Sequence, residues 1–521
     1  MIERLESRIA PAAVTVSYTD FDGDKVRITD SSGTLTSADL HFVGGGTSGQ
    51  LSTLDLRDPG FEGANITFTV TKSAAGDGLA NVGLIDAGIN DLGKVIVVGD
   101  LGALRAGSDS TAANAPAAVK LLKVRSMGIF GLATQGGSGD LNTVLSGALN
   151  ALVVAGNIDG ASLTIGSAVN QASLGSVTIG GFLLGEGSNS GYIHSFGDIG
   201  AMKISHDVRG GAGTFSGVVE SGGKIASLSI GGSLIGGAAA DSGFILNGGN
   251  MGPVTVAGSV VGGQGNDSGE IFSEGNIGPV SVHGNLLGSS IGGTAPDLSN
   301  TGIILANGRI ASAFIGGSII AGVDNSTGGD LNMNAGVRAG FDIGALTVKG
   351  SLIGSATPNG ITHAVITAVG QQSPTATTDV AIGKIAIGGQ VDLALIVAGR
   401  NTDLSPANGN AQIGPVTVGG DWIASSLGAG VRNTVDLTLL GNGHDSIIPG
   451  GVGPSIAKIV SVTIGGIVEG SDASNDHFGF VSHSIGAFKS LGFSAGPTTV
   501  ASNPSRIVIP TITGDVAIEA V

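Results

Sequence analysis

The chain has 521 residues, 95 of them glycine, no cysteine, and a formal charge of −17 at neutral pH. That balance excludes disulfides and thiolate chemistry, argues against nucleic acid or an anionic membrane as partner, and leaves room for divalent cations. Glycine is far above its usual share of about 7%, yet it does not recur every third residue as collagen requires. Val, Ile and Leu stay plentiful, which predicts many short strands joined by tight turns.

Residues 1–12 contain "RLESRIAPA" and lack the basic stretch and long apolar core of a standard secretory signal. They read as an export or targeting-like segment. Residues 13–90 carry strand patterns in a rhythm of their own, including "VTVSYTDFDGDKVRIT" and "ANITFTVTK", and predict a small β-rich N-terminal cap. Within the cap, Asp20, Asp22 and Asp24 stand at alternate positions. Loops of the form D-x-[DN]-x-[DN]-G present such oxygens to Ca²⁺. Here the glycine comes too early and no glutamate stands twelve places from Asp20. A hairpin turn at Asp22-Gly23 is therefore the main expectation, with Ca²⁺ held by Asp20, Asp22 and Asp24 as the lesser one. "GGGTSGQ" spaces Gly44, Gly46 and Gly49 as GxGxxG, but no βαβ unit follows to make it a dinucleotide site.

From Leu92 a phrase recurs: "MGPVTVAGSVVGG" at Met251 returns as "IGPVSVHGNLLGS" at Ile277. Its first apolar position falls at Leu92, Val119, Leu149, Leu174, Ile199, Ile225, Met251, Ile277, Ile310, Ile343, Ile382, Ile413, Ile459 and Ile485. The base step near 26 residues lengthens to 33, 39 and 46 in the later part, as in a solenoid whose loops take insertions. Aliphatics three and five places on flank a variable residue, as in Val177-Thr178-Ile179, so one face of a strand is apolar. Seven places on stands glycine, as at Gly156, Gly258 and Gly284, expected at a corner needing positive φ. A second short strand follows, and Ser190-Gly191, Ser216-Gly217, Ser242-Gly243 and Ser268-Gly269 introduce a third. Three strands and three corners make one coil of a parallel β-helix, here roughly 14 coils over residues 91–495, with residues 496–521 as a C-terminal cap. One coil cannot stand alone, because its ladder bonds and stacked columns exist only between neighbours.

From "SYTDFDGDKVRIT" through "GDGLANVGLIDAGINDLGKVIVVGDLGAL" to the repeated units, the chain resembles a family of large exported bacterial β-solenoid proteins. Many of these open with a segment of the "RLESRIAPA" type, associated with export and the cell surface. The resemblance implies a parallel β-helix and an extracellular or cell-surface location. It brings no defined activity and no catalytic residue.

Other motifs read as structure. "GGQGNDSGE" (Gly262 to Glu270) approaches a calcium-binding nonapeptide, but Gly269 replaces its large apolar residue and no tandem copy follows, so a corner loop is expected. His206-Asp207, His444-Asp445 and Asp476-His477, with His483, are the acid and base pairs that a glycan-cleaving groove would need. Solvated loops are the expectation for them, and core packing for Trp422. The outward column of the first strand is too mixed for a flat threonine array.

A non-catalytic structural or adhesive rod follows as the leading function, with cell-surface glycans or other surface proteins as partners. The insertions between Ile277 and Ile485 are where binding is expected, and "GSSIGGTAPDLSN" reads as a removable decoration. The alternatives are a polysaccharide lyase or glycoside hydrolase over the late coils, and a filament subunit that associates end to end.

Overall fold

The computed structural model describes residues 12–111, 116–357, 359–433, 440–451, 455–473, 476–502 and 505–521. Most of the "RLESRIAPA" segment lies outside the described residues. The fold is an all-β parallel β-helix, in which strands pair with the equivalent strands of neighbouring coils. No helix among the described residues is long and apolar enough to cross a membrane. The chain divides into two compact units, residues 1–206 with 217–226, and residues 207–216 with 227–521.

The first unit opens with an antiparallel hairpin of β1 (Val14–Thr19) and β2 (Lys25–Asp30). A second antiparallel pair is β3 (Leu40–Phe42) with β4 (Leu51–Asp55). β5 (Ile66–Thr71) adds antiparallel to β2, and β6 (Val82–Asp86) lies parallel to β4. Both β5 and β6 then pair in parallel with β7 (Leu92–Ala106), so parallel stacking begins before residue 91. Alternation sets the inner face: Val26, Ile28, Ile66 and Phe68 are fully buried.

Coil by coil the first apolar position of the phrase then stacks on its equivalent, with register irregularities after Val97 and before Ile382. In the first unit Leu92 pairs with Val119, Val119 with Leu149, Leu149 with Leu174, and Leu174 with Ile199. In the second, Met251 pairs with Ile277 and the chain of partners runs through Ile310, Ile343, Ile382, Ile413 and Ile459 to Ile485. Leu228, Val254 and Val280 likewise stack and are buried. A one-residue slip would turn every such column outward, so register and burial enforce each other.

The glycine column has a different cause from the one expected. Gly156, Gly181, Gly258, Gly284, Gly317, Gly350, Gly389, Gly420 and Gly466 are not in the left-handed region. Within each unit successive members stack: Gly181 N–H donates to Gly156 O at 2.9 Å in the first, and Gly284 N–H to Gly258 O and Gly317 N–H to Gly284 O, each at 2.8 Å, in the second. A methyl group on Gly284 would lie 2.8 Å from the carbonyl carbon of Gly258. At Gly181, Gly258, Gly284, Gly317, Gly350, Gly389, Gly420 and Gly466 close approach of coils, not positive φ, opposes a side chain. Gly492 does have the expected positive φ, and Ser126 and His206 hold two further places of the column. Beside the pillar runs a polar spine in which each coil's side-chain oxygen takes the next coil's N–H. Asp207, Ser233, Ser259, Asn285, Ser318 and Ser351 accept in turn from Ser233, Ser259, Asn285, Ser318, Ser351 and Gln390, at 2.7–3.1 Å.

Positive φ belongs instead to the corner before the third strand, at Gly191, Gly217, Gly243 and Gly269. The serine preceding each of these closes the loop. Ser242 Oγ accepts from Gly237 N–H and donates to Ala239 O, and Ser268 Oγ repeats the pattern with Gly263 and Gly265. "GGQGNDSGE" is thus a corner of the same design.

Two of the late insertions do not project as free decorations. Ile291–Gly293 pairs in parallel with Asp324–Ser326, and Leu298 with Leu331, so the "GSSIGGTAPDLSN" segment forms a side ladder of its own. Ile291 and Leu298 are buried in it. Further on, the outward residues Val365, Leu395, Val397 and Val481 of the third strands are covered by Val431 and Leu440, with Leu404 and Ile447 packed against them. The third strands Ala394–Ala398 and Phe478–Ser482 are consequently buried on both faces. At the C-terminal end antiparallel pairs join the parallel ones, which continue to Val516–Ala520 on Phe478–Ser482. Thr498–Thr499 returns along Ser484–Ile485, Phe493–Ala495 along Phe488–Ser490, and Arg506–Val508 along Val516–Ala520.

Candidate cation site beside the first hairpin

The β1–β2 hairpin turns through Asp20–Asp24. Gly23 takes a φ of +92°, and Asp20 N–H donates to Asp24 O at 3.0 Å. The hairpin expectation and the carboxylate cluster therefore hold together: Asp20, Asp22 and Asp24 each bring an oxygen to within 4.8 Å of the others.

Their duties differ. Asp24 is buried and takes the N–H groups of Ser73 at 2.5 Å and Gly78 at 2.6 Å, pinning the Ser73–Gly78 loop to the hairpin. Gly76 has no side chain because one would collide with the Asp24 carboxylate. Asp20 Oδ1 accepts from Asp24 N–H at 2.7 Å, and Asp22 Oδ2 from Asp77 N–H at 2.8 Å. Two oxygens remain for a cation, Asp20 Oδ2 and Asp22 Oδ1. The latter is shut off from solvent and finds no donor except a proton shared with Asp20. Burial, followed by that shared proton and the neighbouring carboxylates, pushes Asp20 up to about 7, while the same proton holds Asp22 low. Tyr18 Oη, buried and without a partner, lies beside this group; burial and then Asp20 raise its pKa.

The hairpin forms one wall of a cavity of about 590 Å³. Asp77 and Asn81 reach it from the segment before β6, Val43 and Gln50 from the turn between β3 and β4, and Phe130 and Thr134 from a 3₁₀ helix at Gly131–Gln135 and its flank. Gly44, Gly46 and Gly49, the GxGxxG spacing, all have positive φ in that turn, and Gly49 N–H donates to Thr19 O at 2.8 Å. Those glycines dock a loop rather than cradle a phosphate. None of Asp77, Phe21, Val43 or Phe130 stood out in the sequence. The available signal was "TDFDGD" itself, where an aromatic sits between two acids at a hairpin tip.

The other candidates are engaged separately. Asp207 pairs with Arg209 and caps Ser233 N–H, and the His206 ring lies tilted against Phe182 with ring centres 4.7 Å apart. His444 is exposed. Asp445 accepts from Gly441 N–H and Asn433 Nδ2, and burial raises it to about 6. Asp476 hydrogen-bonds Ser471 Oγ, and His483 lines a different cavity with Gln412 and Lys458. Trp422 is core, with Nε1 donating to Ser425 O at 2.9 Å. No family model, no curated protein and no solved structure matches the chain.

Proposed function

We propose that the protein is a non-catalytic structural or adhesive β-solenoid of the cell surface or extracellular space. The observation that carries this reading is where its acids go. Asp198, Asp207, Asp421, Asp445 and Asp515 each accept backbone N–H groups at corners and loops, a role that fixes coils rather than substrate. Glycoside cleavage instead sets two carboxyl groups about 5–9.5 Å apart across an open cleft. The resemblance to exported solenoids supports the location. A panel of acidic and neutral glycans and of surface-protein extracts, assayed for retention and for product, tests the reading. Retention without product is expected. Turnover that Asp445→Ala or Asp476→Ala abolishes in folded protein would establish the lyase or hydrolase instead.

At the hairpin we infer a low-affinity Ca²⁺ position on Asp20, Asp22 and Asp24. Ca²⁺ takes six to eight oxygens, so two uncommitted carboxylate oxygens completed by water place the affinity near the ~10⁻⁴–10⁻³ M of extracellular modules. At pH 8, 10 mM Ca²⁺ is expected to raise the melting temperature by about 1–2 °C. Because the Asp20 carboxyl is raised in the folded state, its proton favours folding at low pH. That contribution fades as pH rises from about 4 through about 7. Ca²⁺ replaces the proton only above that window, so its increment should shrink at pH 5 and vanish in Asp22→Asn. A wild-type melting temperature indifferent to Ca²⁺ at pH 8 would remove the site.

A further inference from the structure

We propose that the cavity beside the first hairpin captures a lysine side chain, flanked by apolar residues, from a partner polypeptide. This inference rests on the first unit alone and stands whether or not the protein lies at a cell surface.

Charge identifies the group. Asp20, Asp22 and Asp77 meet at one wall, and none of the described residues lining the cavity is basic. Asp22 Oδ1, on that wall, is withdrawn from water and has no donor beyond the proton it shares with Asp20. A buried acceptor left unmade is costly, and a charged donor relieves it most. The two uncommitted oxygens belong to different aspartates. A guanidinium fork matches the two oxygens of one carboxylate, whereas a compact ammonium with three donors can reach oxygens of separate side chains. A bare metal ion would leave most of the roughly 590 Å³ cavity unfilled.

Apolar surface identifies the carrier. Phe21, at the hairpin tip, is 87% exposed and Phe130 is 49% exposed, and both line the cavity together with exposed Val43. Ile129 and Leu132, next to Phe130 in the chain, are exposed as well but lie outside the cavity lining. Single exposed apolar residues need no explanation, but a group gathered around one acidic cavity marks a contact surface. Aromatic anchors of this kind dominate protein interfaces, and their faces also attract an ammonium. Because Phe21, Val43 and Phe130 present apolar surface around the acidic wall, the occupant carries apolar groups beside its amine.

The test uses full-length protein and two immobilised pentapeptide libraries, each with a central lysine between randomised apolar positions, one carrying Nε-acetyl-lysine. At least tenfold preferential retention by the lysine library is expected. Asp22→Asn, which keeps an acceptor at the same place, should lose that preference, and Phe21→Ala should lower retention severalfold. Phe21 is exposed, so an unchanged melting temperature should accompany its loss of binding. Ca²⁺ at 10 mM should compete. Equal retention on both libraries, or retention indifferent to Asp22→Asn, would overturn the proposal. So would n-butylammonium displacing protein as well as the peptides do, which would make the ligand a small amine. Self-association abolished by Asp22→Asn would also overturn it, by making the occupant a second copy of the chain.

Discussion

Gly284→Ala is expected to destabilise the coils around it by about 2–4 kcal/mol, although alanine is the smallest change available. Its Cβ would stand 2.8 Å from both the carbonyl carbon and oxygen of Gly258, and 2.4 Å from Ser259 Oγ. Forcing a methyl group into packed structure costs about 1–3 kcal/mol. Displacing Ser259 Oγ also breaks its bond from Asn285 N–H, worth about another 1 kcal/mol. The comparison that isolates the cause is Gly44→Ala. Gly44 has a φ of +77° and nothing within 4 Å of the place its methyl group would take, so it meets only the backbone penalty, roughly 1–2 kcal/mol. Native-state hydrogen exchange at the amides of Gly258, Gly284 and Gly317 reads the effect locally, where one global transition is not assured for stacked repeats. If Gly284→Ala proves no more damaging than Gly44→Ala, the pillar is not held by close approach.

That glycine column shows what a repeat makes legible and what it hides. The period of the aliphatics was sufficient to place Ile277 on Met251 and Ile485 on Ile459, because burial leaves only one register. The reason for glycine was not readable, since positive φ and close approach select the same residue. They can be told apart only once the facing atoms are known. The covering of the third strands was half visible. Val365, Leu395 and Val397 put apolar side chains on the face that ought to meet water, which calls for a lid, and the insertions supply it. At the hairpin, the three aspartates were legible as a cluster because the turn brings them together locally. Asp77 and Phe130 were not, because pairing of β6 with β7, and of β7 with the strand Val119–Met127, carries them there with no periodic trace in the chain.

The second large effect is expected at Trp422. It occupies the second-strand column between Val391 below and Val468 above, fully buried. Its ring centre lies 4.9 Å from that of Phe480, which meets Phe488 at 4.8 Å, so an aromatic stack fills the late coils. Trp422→Ala removes that volume and leaves Ser425 O without its donor, for a loss of about 3–5 kcal/mol. Trp422→Phe keeps most of the volume and should lose less than half as much. Trp422 is the single tryptophan, so wild-type fluorescence during urea unfolding reports these coils directly. Stacked coils contact only their neighbours, which limits how far the damage travels. Hydrogen exchange should therefore accelerate from Val391 to Phe488 and stay at wild-type rates from Leu92 to Ile199. Equal acceleration in both stretches would mean that they unfold as one cooperative block, and that nearest-neighbour stacking alone does not set the stability of either.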